Sequence, residues 1–175
     1  MASRAERLRA ETAYLMASLR GVFDEVAVDE WDHAMQAAAA AIRDGADDEL
    51  ILSAALHDIG HSPLLGGPGV ENHSGLARDW VTPRFGARPG WLAGAHVAAK
   101  RHLAAVDPDY TAGLSGTSAA SLAVQGGAGV DAAFVAHAWH RDALRLRQYD
   151  DAAKDPTATG APVEAVLDIA ARLAR

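Results

Sequence analysis

Residues 52–63, LSAALHDIGHSP, set an imidazole and a carboxylate side by side in an otherwise apolar, helix-forming run. Burying His57 and Asp58 there is costly unless something binds them, and a metal ion suits both groups at once. His61 follows His57 by four residues, so a helix continued through Gly60 brings both rings to one face about one turn apart, with Asp58 roughly a quarter-turn away. Three polar groups then converge at one helix end, and further ligands have to be brought to that point.

The rest of the chain supplies them. His33 stands in the run WDHA, His73 in ENHS, His96 in HVAAKRHL and Asp150 in LRLRQYDDAAKDP. With His57 and Asp58 these make six nitrogen and oxygen ligands, too many for one tetrahedral zinc and suited to two octahedral-type ions bridged by a carboxylate. The chain has no cysteine, which excludes disulfides and thiolate ligands and leaves iron, manganese or zinc open. The plain alternative is a set of buried histidines satisfied by hydrogen bonds. His102, His137 and His140 read as surface or packing residues, although His137 and His140 have ligand-like spacing.

Stops and caps divide the chain into helices. A helical pattern over 6–20 ends at Gly21, an alanine-rich one over 31–44 ends at Gly45, and Asp47 caps a helix reaching His57. Gly66-Gly67-Pro68-Gly69 is a loop, Asn72 an N-cap for a helix carrying His73, and Pro89 the opening of a helix with His96 and Lys100 on it. Ser115 caps a further helix ending at Gly126-Gly127, a long helix from Asp131 or His140 presents Arg147 and Asp150, and an amphipathic helix over 163–173 closes the chain. No strand pattern or repeat interrupts this order. An all-α bundle follows, with metals inside it and ligands drawn from four successive helices.

At 175 residues, half of them hydrophobic, the chain suits one domain over 1–175. A net charge of -7 argues against general nucleic-acid binding, so any anion site must be local. The N-terminal run MASRAERLRAETAYL carries charge throughout and lacks the apolar core of a signal peptide, and the apolar run 37–42 is too short to span a bilayer. A soluble cytoplasmic protein with no membrane or nucleic-acid partner is expected; oligomeric state is not readable from one chain.

The blocks ENHSG, HVAAKRHLAAVDPDY, Gln125-Gly126-Gly127 and LRLRQYDDAAKDP, together with His33 and His57-Asp58, resemble the HD-domain metalloproteins. Within them the likeness is to the mixed-valent diiron oxygenases that cleave the carbon–phosphorus bond of 1-hydroxyalkylphosphonates. The His-Asp pair is shared by all HD phosphohydrolases; the later blocks are the specific ones. The resemblance spans roughly residues 33–156 and implies an HD-type helical bundle. It implies that His33, His57, Asp58, His73, His96 and Asp150 hold two irons in the Fe(II)/Fe(III) state, with Asp58 bridging. It further implies that Lys100, Ser118 and Arg147 receive the phosphonate, that His61 acts beside the substrate, and that molecular oxygen is the co-substrate. The products would be a carboxylic acid and phosphate, with the substrate supplying the electrons.

Spacing agrees with an anion held against metals, since Lys100 follows His96 by four residues and Arg147 precedes Asp150 by three. Lys100 and Arg147 also suit a solvated helix face, and Ser118 an ordinary helix hydroxyl bonded to its own backbone. One departure lies upstream of His33. Relatives acting on aminophosphonates carry a tyrosine that can occupy an iron site and a glutamate that holds the substrate ammonium, where this chain has Phe23 and Val26. Phenylalanine has no oxygen to offer iron. Asp24, Glu25, Asp29 or Glu30 could meet an ammonium group if the segment is shifted, and a quaternary ammonium could rest on Phe23 or a tryptophan. An amino- or trimethylammonio-substituted hydroxyphosphonate is therefore expected, its amine end unassigned. Ligand chemistry alone equally supports a metal-dependent phosphohydrolase acting on a phosphoester, or a module that only senses a ligand.

Overall fold

Several helix starts follow side chains that accept from the free N–H groups of a first turn. Ser3 and Glu6 form a reciprocal capping box that opens α1 (Arg4–Ala17). The Asp29 carboxylate accepts from Asp32 N and opens α2 (Glu30–Arg43), and Asp47 accepts from Leu50 N and opens α3 (Asp48–Leu56). The chain continues through α4 (His73–Phe85), α5 (Ala87–Val106), α6 (Pro108–Gly113), α7 (Gly116–Val124), α8 (Ala132–Val135), α9 (His140–Ala152) and α10 (Val163–Leu173). This computed structural model describes residues 1–24 and 28–175, and among them no strand occurs. The all-α expectation holds.

Several boundaries differ from those expected. The capping box carries α1 back to Arg4. Gly86, at φ 108, turns the chain so that α5 begins two residues before Pro89. Asn72 precedes α4 without a side-chain cap bond. Asp131 caps only the short α8, and the separate α9 starts at His140. α3 ends at Leu56 with His57 as its C-cap, close to the expected reach, and the continuation through Gly60 that would have put His57 and His61 on one helical face does not occur. Asp58 adopts φ -105 and ψ 13, and a 3-10 turn over Ile59–His61 follows. That turn lets Gly60 lie against the backbone of His73, where a β-carbon would stand 2.2 Å from the His73 carbonyl oxygen.

The core forms where α2, α3, α5 and α9 meet, with α4 laid along α5 and α10 against α1 and α3. Ala37, Ala38 and Ala41 of α2 are fully buried, so that helix approaches its neighbours closely and presents no bulk. Leu50, Leu52 and Leu56 of α3, Leu92 and Ala99 of α5, and Leu146 of α9 fill the interior. Each such leucine contributes about 1.5–3 kcal/mol by burial. On α10 the buried Val166, Ile169 and Ala170 recur at helical spacing, as the amphipathic pattern requires. Among the described residues no helix is long and apolar enough to cross a membrane.

Candidate metal centre

Five segments bring histidines and carboxylates to one buried place. His33 lies in the first turn of α2, His57 and Asp58 just beyond α3, His73 at the first position of α4, His96 midway along α5, and Asp150 near the end of α9. His57 is completely buried, and His33, His73, His96 and Asp150 are nearly so.

Backbone carbonyls orient three of the rings. Nδ1 of His33 lies 2.8 Å from Ala153 O, that of His57 2.8 Å from Ala54 O, and that of His96 2.7 Å from Ala93 O. A carbonyl only accepts, so each Nδ1 carries the proton and each neutral ring turns an Nε2 lone pair inward. The Nε2 atoms of His33 and His57 stand 3.2 Å apart, and those of His73 and His96 3.0 Å. Lone pairs facing one another at that range repel unless a cation or a proton lies among them.

Asp58 divides its two oxygens between these pairs. Oδ2 is 3.4 Å from His33 Nε2 and 3.2 Å from His57 Nε2, while Oδ1 is 3.2 Å from His96 Nε2 and 3.6 Å from His73 Nε2. Asp150 closes the first pair at 3.4 and 3.5 Å. Two ligand groups result, His33/His57/Asp58 and Asp58/His73/His96, with the carboxylate in common. Asp58 Oδ1 is buried with no hydrogen-bond partner among the described residues. An orphaned carboxylate oxygen amid inward lone pairs fits a cation on either side of Asp58.

Without metal, protons take the cation's place. Burial opposes charge on His33 and His57, yet Asp150 and Asp58 outweigh it, raising His33 well above the usual range and His57 to about 10. Burial alone would raise both aspartates; His57 holds Asp58 well below the carboxylate range, and Arg147 with His57 does so for Asp150. Burial pushes His73 down to about 4. A histidine raised from 6.5 to about 10 lends stability that is complete below pH 6.5 and vanishes as pH rises through 10. The chelated protein is therefore expected to lose at least about 5 °C of thermal midpoint between pH 7 and pH 10. The metal-loaded protein, whose ligands are already deprotonated, should lose much less in the same scans. Equal losses in both forms would show that no metal replaces those protons.

One pocket opens onto this cluster, lined by His33, Asp58, His61, His73, His96 and Asp150, and by Lys100, Arg147 and Lys154. Lys100 is nearly buried and donates to Ser121 Oγ. Arg147 donates to Asp150 Oδ2 at 2.6 Å and, through Nε, to Tyr110 Oη and Asp151 Oδ2 at 3.0 Å each. His61 stacks on His73 with ring centroids 4.3 Å apart, and its Nε2 is 3.5 Å from Asp24. Ser118 lies one step back: it accepts from Lys154 Nζ at 3.1 Å and lines a neighbouring cleft.

Lys154 was not anticipated, although it follows Asp150 by four residues, a spacing that could have marked it. Gln125, known in the sequence only as part of a turn, also lines the pocket. Of the four acidic residues considered for an ammonium group, Asp24 and Glu30 line the pocket, whereas Asp29 is occupied in capping α2. Glu25 and Val26 lie outside the described residues. Burial and then Asp58 raise the Glu30 carboxyl to about 8, against the pull of His33 and His57. Phe23 is 59% exposed, Trp31 and Trp80 carry Arg20 and Arg84 over their faces, and Trp91 stacks on His137. His102 meets His140 edge-on, and no third ligand joins them among the described residues.

A helical bundle enclosing histidine–aspartate ligand groups around a shared carboxylate defines a metalloprotein of the HD-domain type. No protein-family model matches the chain. It is 40% identical to a hydroxymethylphosphonate dioxygenase of Gimesia maris over 75% of this chain and 71% of the relative, and on that likeness it belongs to the hydroxyphosphonate dioxygenase family. It is also 32% identical to a [1-hydroxy-2-(trimethylamino)ethyl]phosphonate dioxygenase (glycine-betaine-forming) of Leisingera caerulea, over 61% of this chain and 62% of that relative. An uncharacterized protein of Acanthamoeba polyphaga mimivirus is 33% identical over 70% of this chain and 61% of its own length.

Proposed function

We propose that this protein uses dioxygen to cleave the carbon–phosphorus bond of a 1-hydroxyalkylphosphonate, releasing a carboxylic acid and phosphate. The observation that carries the reading is a buried pair of ligand groups sharing Asp58, set against a cationic wall of Lys100, Arg147 and Lys154. The names of the relatives point to the same substrates. In this reading His33, His57, Asp58, His73, His96 and Asp150 of one HD-type domain would hold two irons, in the mixed-valent Fe(II)/Fe(III) state, with Asp58 common to both ligand groups. Bound iron supplies Lewis acidity toward the substrate oxygens and the electron transfer to dioxygen.

The chain's own residues do the rest. Lys100 and Arg147 hold the phosphonate by charge-assisted hydrogen bonds, and Ser118 acts by positioning Lys154. His61 has a buried Nδ1 without a hydrogen-bond partner among the described residues, so beside the substrate it serves to hold or move a proton. The balance closes without a further reductant: the carbon–hydrogen and carbon–phosphorus bonding electrons of carbon 1 together reduce the dioxygen, whose atoms leave in carboxylate and phosphate.

Phosphate release by the iron-loaded protein tests this, using hydroxymethylphosphonate and its aminomethyl- and trimethylammoniomethyl-substituted forms, in air and under strict anaerobiosis. Oxygen-dependent release is expected, and the preferred side group identifies the substrate. The same cationic wall suits a phosphoester, which keeps a metal-dependent phosphohydrolase as the second reading. Oxygen-independent hydrolysis of phosphoesters with no phosphonate cleaved would replace the first reading with that one.

Arg147→Lys separates the two duties of this residue. Lysine keeps the charge but not the fork that reaches Asp150, Asp151 and Tyr110 together. Metal affinity is expected to fall by about 10-fold or more through the loosened Asp150. An increase in KM with metal affinity unchanged would place Arg147 on the substrate alone.

A further inference from the structure

Glu30 opens α2 three residues before His33 and is 6% exposed, yet its Oε2 has no hydrogen-bond partner among the described residues. It lines the pocket that holds the candidate ligands. A buried carboxylate with an unsatisfied oxygen is a destabilising feature unless a ligand completes it. A carboxyl keeps an acceptor oxygen whether or not it carries a proton.

The pocket lining carries both signs. Lys100, Arg147 and Lys154 supply the charge that draws a phosphonate, while Asp24 and Glu30 repel one. A hydroxyphosphonate bound there still has one strong donor, its 1-hydroxyl, and that donor needs an acceptor. The inward histidine nitrogens and the oxygens of Asp58 and Asp150 are occupied as candidate ligands. Asp24 accepts from Gly69 N at 2.9 Å and faces His61. Gln125 Oε1 is also without a partner, but its amide can turn to offer either end and suits a phosphonate oxygen equally. His61 Nδ1 is unpartnered as well and has been given the proton-handling role, so Glu30 is the carboxyl left without a partner.

We propose that Glu30 contacts the substrate, accepting the hydrogen bond of the 1-hydroxyl carried by carbon 1. The inference rests on the hydroxyphosphonate reading and adds to it a group that discriminates a hydroxyalkyl from a plain alkyl phosphonate.

The test is a binding cycle by calorimetry on iron(II)-loaded protein under anaerobiosis, with hydroxymethylphosphonate and methylphosphonate as ligands. The wild type is compared with Glu30→Ala and Glu30→Gln, each checked for metal content and helicity. Glu30→Ala is expected to weaken hydroxymethylphosphonate about 10-fold or more and methylphosphonate less than about 2-fold. Glu30→Gln, which keeps an acceptor oxygen but no charge, falls between wild type and alanine and carries the test if the alanine variant does not fold. Equal losses for both ligands, or none, overturn the contact. Loss of metal in Glu30→Gln overturns it too, by making Glu30 part of the metal centre. If wild type binds neither phosphonate, the hydroxyphosphonate reading itself fails, a result distinct from a wild type that binds both and variants that do not discriminate.

Discussion

Asp58→Asn is expected to leave at most one metal ion per chain and to lower oxygen-dependent phosphate release by about 1000-fold or more. The reason is that Asp58 is the one residue common to both ligand groups, with Oδ2 toward His33 and His57 and Oδ1 toward His73 and His96. Asparagine offers an oxygen to one pair only and turns an N–H donor toward the other, where a cation would have to sit. Shape and volume barely change, so the loss reports ligation rather than packing. Metal content by elemental analysis and phosphate release measured on the same preparation decide the matter. Two ions retained with activity within tenfold of wild type would remove Asp58 from its bridging role.

Gly60→Ala should be nearly as damaging, though Gly60 bears no functional group. A β-carbon there would stand 2.2 Å from His73 O and 2.5 Å from His73 Cα, both of them backbone atoms that no rotamer change can clear. Either α4 moves away or the 3-10 turn after Asp58 opens, and each displaces a candidate ligand. Overpacking of this kind costs about 1–3 kcal/mol, roughly 2–12 °C of thermal midpoint for a chain of this size. The expected signature is a lowered midpoint together with partial loss of metal, since His73 belongs to one ligand group and His33 and His57 to the other. Gly113→Ala is the control: nothing lies within 4 Å of its β-carbon position, and its midpoint should hold or rise slightly. A Gly60→Ala protein with full metal content and an unchanged midpoint would contradict the close approach of the turn to α4.

Both effects depend on features of different legibility. The six candidate ligands were recognisable as residue types, because adjacent histidine and aspartate in an apolar helix and basic residues one turn from a histidine are local patterns. The helix reaching His57 was recognisable, but the 3-10 turn after it was not. Leu52 to His61 continues a helical pattern in isolation, and what breaks it is the packing of Gly60 on the first residue of α4, 13 positions further along the chain. Lys154 and Glu30 were missed or left among alternatives for a related reason: nothing near them in sequence states which cavity they face. Ser118, expected as a phosphonate contact, accepts from Lys154 Nζ at 3.1 Å, a pairing that nothing near it in sequence announces.

Which segments become helices was therefore settled along the chain itself, since the capping of Asp29, Asp47 and Ser115 and the apolar spacing of α10 act within one or two turns. The chemistry on offer was settled there too, by a supply of histidine and aspartate without cysteine. Which of those side chains meet was decided only by the packed bundle. The approach of His33, Asp58, His96 and Asp150 depends on the alanine-lined contacts of α2 and the turn at Gly60, and each of these arises between residues far apart in sequence. The division of Asp58's two oxygens and the isolation of the Glu30 carboxyl belong to the same level, because an orphaned polar atom is defined by everything that surrounds it.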